Sequence, residues 1–260
     1  MGVNLHRMLT SSLLNDAGFC HAFFTREGGV SEGPFASLNF SPAGGDDPER
    51  IQLNRALAAA SLGVEPERLL VASQVHGVTV LPVDDASRAT EVAQREADAL
   101  LARPGVTPLA CGVRVADCVP VLLGDQVSGA VAAVHAGWRG AVGGILTATV
   151  ARLRELSGPG ARLLAAVGPH MSGAAFEIGD EVAVQLEAAA PGQPVVVRSP
   201  GQRAHGDLRR LVSWQLAQAG VAHVDHLAGC TFSEPTRFFS YRRDGARSGR
   251  HLAAIVPRQA

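Results

Sequence analysis

From Pro108 to Gly140 the chain reads Pro108-Leu-Ala-Cys-Gly-Val-Arg-Val-Ala-Asp-Cys118-Val-Pro-Val-Leu-Leu-Gly124-Asp-Gln-Val-Ser-Gly-Ala-Val131-Ala-Ala-Val-His135-Ala-Gly-Trp-Arg-Gly140. Residues 108–115, 119–123 and 131–135 are apolar, partly β-branched and bounded by Pro, Gly or Asp, the pattern of strands. After Gly137 a helix is expected, reaching about residue 156. Three short strands followed by a helix place this stretch in an α/β fold.

Working outward, residues 18–24, 69–73, 78–83 and 164–168 carry the same strand pattern. Asp47-Pro48 supplies an N-cap and a first-turn proline for a helix over 49–62, with Gly63 as its stop. Further helices are expected after Gly179 to about residue 189, and after Gly206 to about residue 219. No linker, repeat or low-complexity segment interrupts the pattern. The expectation is one domain over 1–260, α/β, with mixed β-sheets flanked by helices.

Composition removes several functions. The formal net charge is -1, so no global field recruits nucleic acid. All 23 basic residues are arginine. Without lysine there is no Schiff base, lysine-linked pyridoxal phosphate, P-loop lysine or Ser-x-x-Lys nucleophile. Any anion must be held by arginine, backbone N–H groups or a metal, and arginine's planar fork suits phosphate and carboxylate. Cys20, Cys111, Cys118 and Cys230 form no CxxC pair and no disulfide framework. Residues 1–18 lack a basic region ahead of a long apolar stretch, and 106–124 is broken by Arg114 and Asp117. These features predict a cytoplasmic location and no membrane contact.

Three segments carry chemistry: Ser73-Gln-Val-His76-Gly, Ala116-Asp-Cys118-Val-Pro and His135-Ala-Gly-Trp-Arg-Gly140. Each puts an imidazole or thiol at the end of an apolar strand. Two imidazoles and one thiolate suit Zn²⁺, and three protein ligands leave a position for water, as catalytic sites do. Such a zinc brings the pKa of its water near neutral. The spacing alone fits ordinary buried His and Cys equally well.

These segments, with Phe24-Thr-Arg26-Glu-Gly-Gly-Val-Ser31 and Arg237-Phe-Phe-Ser-Tyr-Arg-Arg-Asp244, resemble the multicopper polyphenol oxidase (laccase) family. That family is also described as a peptidoglycan editing factor family and a purine nucleoside phosphorylase family. Gly168-Pro169, Phe176-Glu-Ile-Gly179 and Cys230-Thr231 fall between them in the expected order, so the match spans about residues 24–255. The resemblance implies an α/β fold, one zinc on His76, Cys118 and His135, and phosphorolysis of adenosine, inosine and S-methyl-5′-thioadenosine with adenosine deamination. A local departure is Arg114-Val115, where threonine often precedes the Ala-Asp-Cys segment.

Deamination needs activated water and a proton shuttle. Asp117 is a candidate shuttle, with a supporting role beside the metal as the alternative. Phosphorolysis needs phosphate held in line with C1′. Arg139, in the first turn after Gly137, is a candidate catalytic anion holder, with Arg26, Arg242 and Arg243 as further phosphate-binding candidates. If Arg242-Arg243 is extended, at most one faces the pocket. Competing readings are a hydrolase editing peptidoglycan precursors, a copper-dependent polyphenol oxidase, and a zinc-stabilised binding module. The missing fourth ligand disfavours the last, and the lack of clustered histidines disfavours copper. No protein partner is implied. The Gly29-x-Ser31-x-Gly33 string reads as a loop rather than a nucleophile elbow. Cys111 reads as core, His170 as a turn residue, His223 and His226 as strand residues, and Trp138 as a purine stack or a helix cap.

Overall fold

Strands apolar on both faces need cover on both faces. The computed structural model, which describes residues 8–258, supplies it with four layers. A six-stranded sheet runs in the order His223–His226, Leu163–Val167, Val119–Asp125, Val131–Ala136, Ala99–Ala102, Val80–Val83. A five-stranded sheet runs Met8–Leu9, His21–Phe24, His251–Ile255, Ala110–Val115, Leu69–Leu70. Both mix parallel and antiparallel pairs. A small antiparallel sheet joins Glu177–Ile178, Ala204–Gly206 and Val196–Val197.

Alternation along each strand divides the core. Val119, Val121 and Leu123 pack under the helices Ile145–Ser157, Asp180–Ala189 and Leu208–Gln218. Leu122, Ala133 and Ala166 turn the other way and meet Phe23, Cys111, Val113 and Ile255 between the sheets. On the far face of the five-stranded sheet, Ala22, Phe24, Leu252 and Ala254 meet Ala58 and Ala59 of the helix Pro48–Ser61. The α/β class with mixed sheets flanked by helices is therefore as expected from sequence.

The Pro48–Ser61 helix begins as the sequence indicates: the Asp47 carboxylate accepts from Glu49 N–H at 2.9 Å, and Gly63 follows at φ 67°. Elsewhere the structure corrects the boundaries. The expected helix after Gly137 is two helices, Trp138–Val142 and Ile145–Ser157. Gly144 at φ 89° separates them, a left-handed conformation that glycine adopts without steric cost. The expected strand over 69–73 keeps only Leu69–Leu70, because Ser73 leaves to bridge Glu96. Ala99–Ala102 and His251–Ile255 were not anticipated; both are Ala- and Leu-rich runs that favour helix in isolation. Residues 1–7 of the 1–18 stretch lie outside the described residues. No helix among the described residues is long and apolar enough to cross a membrane.

Candidate metal centre and its cavity

The sheets bring many strand ends to one side of the molecule. Cys118 precedes Val119–Asp125, and His135 closes Val131–Ala136; Pro120 and His135 are register partners. Asp98 precedes Ala99–Ala102, whose first residue pairs with Val134. Val115 ends its strand opposite His251. His76 lies in the loop leading to Val80–Val83.

His76, Cys118 and His135 converge there, with one ligand atom from each lying within 4.8 Å of the others. Cys118 Sγ is 3.7 Å from His76 Nε2. The two imidazoles meet edge to face, centroids 4.7 Å apart. His135 is buried, Cys118 half-buried and His76 exposed, so the set opens outward. Among the described residues it is the one cluster of three such ligand groups.

Asp98, fully buried, organises two of the three. Its carboxylate accepts from His135 Nδ1 at 2.8 Å, and from the N–H groups of Val75, His76 and Gly77 at 3.3, 2.9 and 2.7 Å. Those bonds hold His76 at φ 61°, uncommon for a non-glycine residue and sustained only where surroundings impose it. The Nδ1 bond leaves Nε2 of His135 for the centre, a usual arrangement for a ligating histidine. Burial, the largest influence, opposes ionisation of Cys118, but His135 and then His76 outweigh it and lower the thiol pKa. Burial also works against charge on His135, yet Cys118 and Asp98 raise its pKa overall. A thiolate beside two imidazoles is a good donor set for a borderline cation.

Glycine completes the cradle. A Cβ on Gly137 would lie 2.7 Å from His76 Cδ2 and 3.1 Å from Cys118 Sγ. Any larger residue there would force the His76 ring or the backbone to shift and would crowd the Cys118 thiol.

The centre opens into a cavity of about 700 Å³. Trp138, Phe176 and Tyr241 contribute aromatic surface, and Arg114, Arg139, Arg242 and Arg250 contribute charge. Three of these arginines lie over a ring: Arg139 on Trp138 at 4.4 Å, Arg250 on Tyr241 at 5.2 Å, Arg242 on Phe176 at 5.5 Å.

The candidates named from sequence separate into two groups. Arg139 and Arg242 line the cavity; Arg26 and Arg243 do not. Arg26 donates to the carbonyls of Ala36 and Pro235, and Arg243 to those of Thr231, Phe232 and Phe238. The Arg242-Arg243 segment is a helical turn, Tyr241–Asp244, rather than extended, yet only Arg242 reaches the wall. Asp117 lines the cavity at φ 92°, with its carboxylate accepting from Thr231 Oγ1 at 2.7 Å and Arg242 N–H at 2.6 Å. Cys111 is a buried core residue whose thiol is pushed far up by burial. Ser31 is bound to Asp46 and Asn54 in a loop, and only a single 3-10 turn, Gly33–Phe35, follows it directly. Asp98 and Arg250 carry no mark in the sequence analysis, where Arg114 stands only as a departure beside the Ala-Asp-Cys segment and Gly137 only as the start of a helix. For Asp98 the only signal was an acid just ahead of an apolar run.

Residues 20–258 match the family model described as multi-copper polyphenol oxidoreductase laccase. The chain belongs to that family. Its relatives carry other names: a purine nucleoside phosphorylase of Deinococcus radiodurans is 42% identical, over 92% of this chain and 90% of that protein. Adenosine deaminase RL5, from an unknown prokaryotic organism, is 37% identical over 90% and 92%. The crystal structure of YlmD from Geobacillus stearothermophilus superposes with a TM-score of 0.84 at 33% identity, over 94% and 93%. Likeness over nearly the whole chain carries the family's fold to this one, with a candidate metal-ligand set lining the cavity.

Proposed function

We propose that this chain is a zinc-dependent purine nucleoside phosphorylase acting on adenosine, inosine and S-methyl-5′-thioadenosine, with adenosine deaminase activity. One observation carries the reading: a three-ligand set, not four, opening into a cavity large enough for a nucleoside. The names of the relatives at 37% and 42% identity support the two activities. Bound at His76, Cys118 and His135, zinc supplies Lewis-acid polarisation of an oxygen at neutral pH.

The protein's own groups do the rest. Trp138, half-buried in the cavity wall with Arg139 over its ring, offers the aromatic surface against which a purine packs. Arg139 and Arg242 face the cavity and hold anionic groups, while Arg26 and Arg243 brace the loops behind its wall. Asp117 acts as a positioning residue, tying Thr231 and the Arg242 backbone to the Cys118 strand. The whole chain, 1–260, works as one catalytic unit on small molecules. We place it in the cytoplasm, where unpaired thiols such as Cys118 stay reduced.

Copper-dependent phenol oxidation is the second reading, favoured by the family description. Multicopper chemistry needs several clustered sites, whereas the described residues bring together one three-ligand set. Incubating purified zinc-loaded protein with adenosine, with and without phosphate, separates the readings. Adenine that appears only with phosphate supports phosphorolysis, and inosine supports deamination. Absence of both products, with oxidation of a phenol, overturns the proposal.

A further inference from the structure

Arg114, Arg139, Arg242 and Arg250 line the cavity, and none has an ion-pair partner among the described residues. Arg114 and Arg250 differ from the other two in being half-buried and adjacent. Sheet register makes them so. Leu252 pairs with Arg114 and His251 with Val115 in the antiparallel ladder. Arg250, one residue further out, therefore falls on the same face as Arg114, diagonally across the strands.

Their surroundings answer the charge only in part. Burial first, then the nearby charges of Arg55 and Arg250, bring Arg114 down to about 10. Burial also lowers Arg250, partly offset by Cys118, Asp117 and Tyr241. Of those, Cys118 faces His76 and Asp117 is engaged by Thr231 and the Arg242 N–H.

Only part of each guanidinium is used by the protein. Arg114 Nη2 donates to the Ala72 carbonyl at 3.2 Å. Arg250 Nη1 donates to those of Ser248 and Gly249 at 2.8 and 2.9 Å. Among the described residues, the remaining nitrogens of both forks have no acceptor, and none of them is sealed in the core. Two like charges side by side repel, and an anion between them reverses the sign of the interaction. Planar forks match an oxyanion's geometry.

We infer that Arg114 and Arg250 form a seat for a phosphate-like oxyanion in the cavity, on the Cys118 side. The seat itself stands on the two unpaired forks; its role rests on the phosphorylase reading. In that reading it holds inorganic phosphate while one phosphate oxygen bonds to C1′ of the ribose. The C1′–N9 bond breaks, its electron pair passes to the purine, and the purine gains, through water, the proton that hydrogen phosphate gives up.

Calorimetric titration of the metal-loaded enzyme with inorganic phosphate, without nucleoside, tests the seat. One phosphate should bind per chain. Arg114→Gln and Arg250→Gln should each weaken it about tenfold or more, the loss expected for charge-assisted hydrogen bonds. Arg250→Lys should recover part of the affinity, and circular dichroism shows whether each variant folds. Arg152→Gln, on the exposed pair with Glu155, should change nothing. Should a Gln variant fail to fold, the Lys variants of the same residues take its place. Unaltered phosphate affinity in folded variants of both residues overturns the seat. Adenosine 5′-monophosphate that competes with phosphate, and loses affinity in the same variants, assigns the seat to a nucleotide's phosphate; no competition assigns it to the free ion. If phosphate binding depends on both arginines but no adenine is released from adenosine, the seat stands and the phosphorylase reading falls. If adenine is released with a phosphate KM that neither substitution moves, the seat falls and the reading stands.

Discussion

The Asp98 carboxylate and the His135 imidazole are joined by a 2.8 Å hydrogen bond at Nδ1, and both groups are buried. Because the same carboxylate accepts from the His76 N–H, Asp98 fixes the orientation of one ligand and the backbone of another. Asp98→Asn keeps an acceptor oxygen but loses the charge and one set of backbone contacts. Zinc affinity, measured against a chelator, should fall roughly 10–100-fold, the usual cost of losing a partner behind a ligand. Undiminished affinity would remove Asp98 from the centre.

Cys118→Ala removes one of three ligands and should abolish stoichiometric zinc and activity together. The layers hold without it, since the core lies between and outside the sheets. Far-UV circular dichroism should therefore match the parent, and metal analysis of the purified variant is the check.

Gly137→Ala should act on the metal without replacing a ligand. Its Cβ would stand 2.7 Å from His76 Cδ2 and 3.1 Å from Cys118 Sγ, so one ring or the helix Trp138–Val142 must shift. We expect at least a tenfold loss of zinc affinity with a loss of unfolding free energy on the order of 1–3 kcal/mol, the usual range for an overpacked site. Parent-like affinity would mean that the helix moves freely.

Metal binding should strengthen as pH rises. In the metal-free protein the pKa of Cys118 is lowered and that of His135 raised, so the proton to be displaced sits chiefly on His135. Binding then releases a proton below the raised His135 pKa. Calorimetry in buffers of different ionisation enthalpy should report that release near neutral pH. No proton release would contradict the pairing.

Acid should destabilise the fold through two buried histidines that are not among the candidate ligands. Burial is the main cause that lowers His251 to about 3 and His170 to about 4. A folded pKa below the unfolded value, about 6.5, means the unfolded chain binds the extra proton. Stability is complete above that value and is lost as pH falls from it towards the folded values. Each group contributes a slope of at most about 1.4 kcal/mol per pH unit in that window. Urea unfolding at pH 7, 6 and 5 measures it, and a flat profile would show the two rings to be hydrated.

What the sequence by itself determined was local. Apolar runs ending at Cys118 and His135, the Asp47-Pro48 cap and the lysine-free composition are carried by neighbours in the chain or by no neighbours at all. They suffice for the α/β class, for several strands and for the three candidate ligands once family resemblance joins them. Tertiary structure alone decided the rest, because it depends on pairing between distant strands. Register put Arg250 beside Arg114 across 136 positions of sequence, and the ladder from Ala99 to Val134 set Asp98 behind His135. Arg26 and Arg243 look, as a string of residues, like the arginines that reach the cavity. Only the fold shows their guanidinium groups bound to backbone carbonyls behind its wall, because backbone acceptors leave no mark on side-chain identity.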